Sequence, residues 1–114
     1  MPFIETKTTV KMTAEQENTL KNEYGKAIEL IAGMTEEWLM LNFESDCHMA
    51  FRGTTSPDMA IVDVQLLGKA KDSEYDKLTE RICEIVNNVL SVPRNRIYVK
   101  YSEFDHWGYN GINF

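Results

Sequence analysis

Cysteine, histidine and proline are scarce in this 114-residue chain, and no apolar run is long. The two cysteines, Cys47 and Cys83, form no Cys-x-x-Cys pair, which argues against a dithiol redox motif and a zinc knuckle. Cys83 falls on the apolar face of a predicted helix and reads as a small core residue. Two histidines, His48 and His106, are too few for a metal cluster, so neither a metal nor another cofactor is expected. No segment approaches the ~20 apolar residues of a membrane span. The start, charged at Glu5 and Lys7, does not read as a signal peptide. A soluble cytoplasmic protein is expected.

Basic clustering is missing too. Lys and Arg are scattered in a chain of net charge -6, which argues against nucleic acid and anionic membrane as partners. What remains is ordinary globular composition, 43% hydrophobic and 26% charged, with the length of one domain over residues 1–114. A domain this small has a modest core and gains by burying surface against copies of itself.

The element order is legible. Pro2 to Lys7 reads as a strand. Thr13 and Gln16 form a capping-box pattern, and Gly33 is a stop signal. Between them Leu20, Tyr24, Ala27, Ile28 and Ile31 recur at helical spacing and share one face. Trp38 to Phe43 reads as an apolar strand, Gly53 to Pro57 as a polar connection, and Ala60 to Leu67 as a β-branched strand interrupted by Asp63 and Gln65. The plan then repeats. Ser73 can cap a helix carrying Tyr75, Leu78, Ile82, Cys83, Ile85, Val86 and Val89 on one face, Pro93 lies beyond its end, and Arg96 to Tyr101 alternates as a strand.

The halves, about 1–57 and 58–114, are offset by a steady interval of about sixty residues, from Thr13 to Ser73 and from Trp38 to Ile97. Two β-α-β units predict an α+β two-layer sandwich, a four-stranded mixed sheet with both helices on one face. The sheet's other face is expected to be apolar and uncovered, which would drive self-association.

Pro2 bears most directly on function. If Met1 is trimmed, Pro2 carries a secondary amine at the front of the fold. A terminal amine titrates near ~8, and burial beside Phe3 would bring it to a neutral base. Such a group moves protons on carbon without metal or cofactor. Proline at this place also suits an edge strand.

With these features the chain resembles the macrophage migration inhibitory factor-like branch of the tautomerase superfamily. The resemblance rests on Pro2, the Met49-Ala50-Phe51 run, Leu67-Gly68-Lys69, Pro93 with Arg96-Ile97-Tyr98-Val99, and Gly108-Tyr109-Asn110-Gly111. It implies a homotrimer whose sheets form a barrel, and keto-enol tautomerisation of phenylpyruvate-like α-keto acids with Pro2 as general base and then acid. It implies a substrate-holding backbone amide at Leu67, a pocket tyrosine at Tyr98 supplied by a neighbouring subunit, and apolar walls at Phe3, Trp38 and Trp107. It also admits a second reading, a cytokine-like trimer that engages a receptor protein, reaches the outside by an unconventional route and keeps only a vestigial pocket.

The departures are informative. Many relatives place a lysine for the substrate carboxylate where this chain has Met34. Lys100 stands where relatives have asparagine, shares a strand side with Tyr98, and is expected to replace that cation. Arg52 is the other candidate. The family's Cys-x-x-Cys segment is Asp58-Met59-Ala60-Ile61 here, so its thiol chemistry does not carry over.

Overall fold

The computed structural model describes residues 1–114. Strand β1 (Pro2–Thr8) leads to helix α1 (Ala14–Ala27), strand β2 (Met40–Glu44), strand β3 (Ala60–Leu67), helix α2 (Asp72–Leu90) and strand β4 (Ile97–Phe104). A short hairpin, β5 (Gly108–Tyr109) and β6 (Ile112–Asn113), closes the chain. The main sheet has the order β2-β1-β3-β4. Its outer pairs are parallel and its central pair is antiparallel, as two β-α-β units side by side require. No helix is long and apolar enough to cross a membrane.

Alternation along the strands decides which face packs on the helices. Ile4, Thr6 and Thr8 of β1 and Ala60, Val62, Val64 and Leu66 of β3 are buried against Leu20, Tyr24 and Ile28 on one side and Leu78, Ile82 and Val86 on the other. Fully burying such a side chain is worth about 1.5–3 kcal/mol, so this shared core is the main support of the fold. Thr6 is tolerated there because its hydroxyl meets that of Tyr24 at 2.9 Å.

The capping box of α1 is formed as the sequence predicts. The Gln16 N–H donates to Thr13 Oγ1 at 3.1 Å, and the Thr13 N–H donates to Gln16 Oε1 at 2.9 Å.

Four expectations change. Ser73 is not the cap of α2: the helix begins at Asp72, and Ser73 lies in its first turn. Glu74 does the capping, accepting the Lys71 N–H at 2.9 Å with one oxygen and the Ala32 N–H at 2.7 Å with the other. These two amides hold its carboxyl below the usual carboxylate range. Trp38 is not in a strand: it ends a 3₁₀ turn, Glu36–Trp38, and β2 starts at Met40, where parallel pairing with Phe3 begins. Strand β1 is central rather than an edge, and Pro2 is accommodated as its first residue.

The fourth change concerns the uncovered face. It is not uniformly apolar, because the same alternation that buries Val62 and Val64 turns Asp63 and Gln65 outward. Asn42, Glu5, Asp63 and Lys100 stand in one row across all four strands. Asn42 donates to Glu5 at 2.9 Å, and Lys100 lies 3.5 Å from Asp63. Apolar side chains on this face are confined to its ends, with Phe3 and Leu67 at one and Ile61 and Tyr98 at the other.

Candidate active site

The first end of the sheet holds the larger cavity, a cleft of about 750 Å³ lined by Pro2, Phe3, Trp38, Met40, Trp107 and Tyr109 among others. Three separate segments converge on it: the start of β1, the turn into β2, and the carboxy-terminal hairpin. The hairpin turns tightly because Asn110 and Gly111 both adopt positive φ, 52° and 80°. It presents Tyr109 edge-on to Trp38, with ring centroids 5.1 Å apart at 88°. Trp107 sits beside Phe104 at 6.0 Å.

Pro2 is buried at the floor of this cleft, and Met1 lies half-buried over it. The Met1 amine donates to the Met34 sulfur at 3.8 Å. Desolvation at this end lowers the terminal amine from its ordinary 8.0. The Met1 carbonyl accepts the Leu67 N–H at 3.1 Å, so with Met1 in place the Leu67 amide already has an acceptor. Removing Met1 would therefore uncover two groups together, a secondary amine and a free backbone donor.

Tyr98 is at the other end. Its register partner is Ile61, whereas Pro2 pairs with Leu66. That is about five strand positions, roughly 16 Å at the ~3.3 Å rise of a strand. Tyr98 is 59% exposed and packs edge-on against Phe51 at 5.0 Å, over a smaller cavity of about 190 Å³. Arg96 organises this end. Its buried guanidinium donates to the carbonyls of Pro57 at 2.9 Å, Thr54 at 3.2 Å and Phe51 at 3.3 Å, fixing the segment that carries Phe51. Arg52 is exposed in the same segment at φ 53°.

The profile of the family described as Macrophage migration inhibitory factor (MIF) matches residues 1–114. The chain belongs to the macrophage migration inhibitory factor family. It is 26% identical over 99 residues to the Macrophage migration inhibitory factor of Xenopus laevis, covering 85% of each chain. Among solved structures it resembles Leishmania major MIF2, with 31% identity, a TM-score of 0.93 and coverage of 100% of this chain and 97% of that one. The homologue from Prochlorococcus marinus superposes at a TM-score of 0.88, with 26% identity over 98% of both chains. Membership in this family supports a tautomerase or cytokine-like role.

Among the residues singled out from the sequence of this MIF-family chain, Pro2, Phe3, Trp38 and Trp107 meet in one cleft. Met34 and Leu67 adjoin it through the Met1 amine and the Met1 carbonyl. Tyr98 and Lys100 do not reach it within one copy. They share a strand face, as expected, but Lys100 is held by Asp63. Sequence reasoning missed Glu37, Met40 and Tyr109 in the cleft wall, and Arg96 as the clamp of the opposite end. The Asn110-Gly111 dipeptide, a strong hairpin signal, could have pointed to Tyr109.

Proposed function

We propose that the chain, once Met1 is removed, is a cofactor-independent keto-enol tautomerase of small aromatic carbonyl compounds of the phenylpyruvate type. The observation that carries this reading is a buried proline at the floor of an aromatic cleft whose surroundings depress the pKa of a terminal amine. In the proposed reaction the uncharged Pro2 nitrogen takes a proton from the carbon next to the substrate carbonyl. The electron pair moves onto the carbonyl oxygen, where the Leu67 N–H, released from the Met1 carbonyl, stabilises the growing charge. The protonated nitrogen then delivers its proton to that oxygen, giving the enol. A second copy, as in the homotrimer that the resemblance implies, would supply the Tyr98 hydroxyl to the same oxygen.

The test is the rate of enol formation beside mass spectrometry of the same sample. Pro2→Gly keeps a terminal amine but alters its basicity and rigidity, and should lower turnover by about 10²–10⁴-fold, the range of general acid-base catalysis. An unchanged rate would remove Pro2 from the mechanism. The exposed hairpin, with Tyr109, Ile112 and Phe114 open to solvent, favours a second reading as a cytokine-like, protein-binding trimer. Trimmed protein that turns over no arylcarbonyl compound would support that reading instead.

A further inference from the structure

We propose that the Pro2 cleft selects aromatic carbonyl substrates that carry no carboxylate, namely uncharged ketones, aldehydes and esters, and that Met34 and Glu37 set this selectivity. The inference rests on the tautomerase reading above but departs from phenylpyruvate itself: the enolisable aryl carbonyl is kept and the carboxylate is not. No lysine or arginine lines the cleft, and its one charged side chain is the carboxylate of Glu37. Met34 reaches this end of the sheet, its thioether 3.8 Å from the Met1 nitrogen, and offers no charge there.

Two cations of the opposite end are engaged within the copy that carries them. Lys100 is already countered by Asp63 at 3.5 Å, so a neighbouring copy that delivers Tyr98 brings Lys100 as half of an ion pair. The Arg96 guanidinium is engaged by three backbone carbonyls. A substrate carboxylate entering the cleft would lose its hydration with no cation of the cleft wall to pair with, and Glu37 would repel it. It would have a second effect. A negative charge beside the Pro2 amine favours the protonated form of that amine and so removes the base. An ester or aldehyde incurs neither cost, and its ring can pack against the aromatic wall of Trp38, Trp107 and Tyr109.

The experiment uses trimmed native protein with 4-hydroxyphenylpyruvate and its methyl ester, read by enol absorbance. The ester should exceed the acid in kcat/KM by about tenfold or more, the worth of one missing charge-assisted contact. Met34→Lys should cut that ratio about tenfold, and Glu37→Gln about threefold in the same direction, as expected for a full cation and for loss of one repelling charge. A ratio near one in the native chain would overturn the proposal. So would acid turnover that collapses in Lys100→Met or Arg52→Met, because either would identify a cation serving the site. A binding measurement stands apart from turnover. Both tryptophans line the cleft, so intrinsic fluorescence reports its occupancy. Methyl phenylacetate should bind about tenfold tighter than phenylacetate, and equal affinity would overturn the proposal. Loss of both turnovers together with a retained ester preference in binding would sink the tautomerase reading while sustaining the selectivity.

Discussion

At the Pro2 end of the sheet the cleft wall is aromatic and aliphatic, with Glu37 as its single charge, whereas the Tyr98 end gathers Lys7, Arg52, Arg96 and Lys100. The first end is roomy and dry enough to depress an amine's pKa. The second has a small cavity, with its main cation fastened to three carbonyls. The two ends lie roughly 16 Å apart along the strands, beyond the reach of any side chain. Under the proposed mechanism, one copy would hold half a site at each end. The proposed nitrogen base would lie at the first end and the proposed Tyr98 hydroxyl at the second, so contact between copies would have to join them.

The largest expected effect separates the ends by blocking the first. Protein that retains Met1 should turn over about 10²–10⁴-fold more slowly than trimmed protein. The Pro2 nitrogen is then an amide without basicity, and the Met1 carbonyl keeps the Leu67 donor. Rates measured on samples whose masses show complete or absent trimming check this directly. Equal rates would mean that the dry end is not where the chemistry occurs.

The next effect dismantles the second end. Arg96→Ala leaves the carbonyls of Phe51, Thr54 and Pro57 without their donor, so urea unfolding should show a loss of about 2–4 kcal/mol. Arg96→Lys should recover little of it, since an ammonium cannot reproduce the planar fork that reaches three acceptors. A loss under ~0.5 kcal/mol, the range of ordinary surface changes, would show the clamp to be idle.

A smaller effect tests whether the ends work together. Tyr98 is exposed, so Tyr98→Phe should leave stability within ~0.5 kcal/mol while kcat/KM falls by about tenfold, the worth of one hydrogen bond at the upper end of its range. Mixing sharpens it. Refolding Pro2→Gly and Tyr98→Phe chains together at equal amounts should restore about a quarter of native activity by random pairing in a symmetric oligomer. Each restored site would take Pro2 from one copy and Tyr98 from the next. Activity no higher than the mean of the two variants would place the whole site within one copy.

Much of this contrast was legible in the sequence, and the part that was not has physical causes. Period-2 alternation in Ala60 to Leu67 and helical spacing from Leu20 to Ile31 are local signals, and the sheet and both helices followed from them. The apolar neighbours of Trp38 predict a strand there. The 3₁₀ turn is set by two backbone bonds, from the Trp38 N–H to the Thr35 carbonyl and from the Leu39 N–H to the Glu36 carbonyl, which leave little compositional trace. Ser73 looked like the better cap by residue type, but Glu74 reaches two amides, one of them more than forty residues away at Ala32. The polar row on the open face was present in the sequence as Glu5, Asp63 and Lys100. Only the register shows that these stand side by side. Pro2, Phe3, Trp38 and Trp107 were identified without knowing that they meet. Tyr109 and Glu37 were missed because their place depends on how a tight hairpin and a turn fold over the start of β1.

The mildest test compares the two ends through pH. Desolvation lowers the Met1 amine from its ordinary 8.0, and Pro2 is buried more deeply than Met1, so the amine that trimming exposes is expected to be lowered by the same cause. The base works uncharged, so kcat/KM should rise with pH as the amine loses its proton, with the midpoint of that limb below 8. Stability shares the sign. The unfolded chain regains the ordinary, higher pKa and takes up the proton first as pH falls below 8. The contribution is therefore complete above 8 and lost as pH falls through the folded value. Pro2→Gly should move the activity limb, because the nitrogen it titrates has changed, whereas Lys100→Met, at the other end, should leave the limb where it is. A native limb at or above 8 would mean that the Pro2 nitrogen is as wet as a free amine, and the contrast between a dry end and a charged end would no longer account for catalysis.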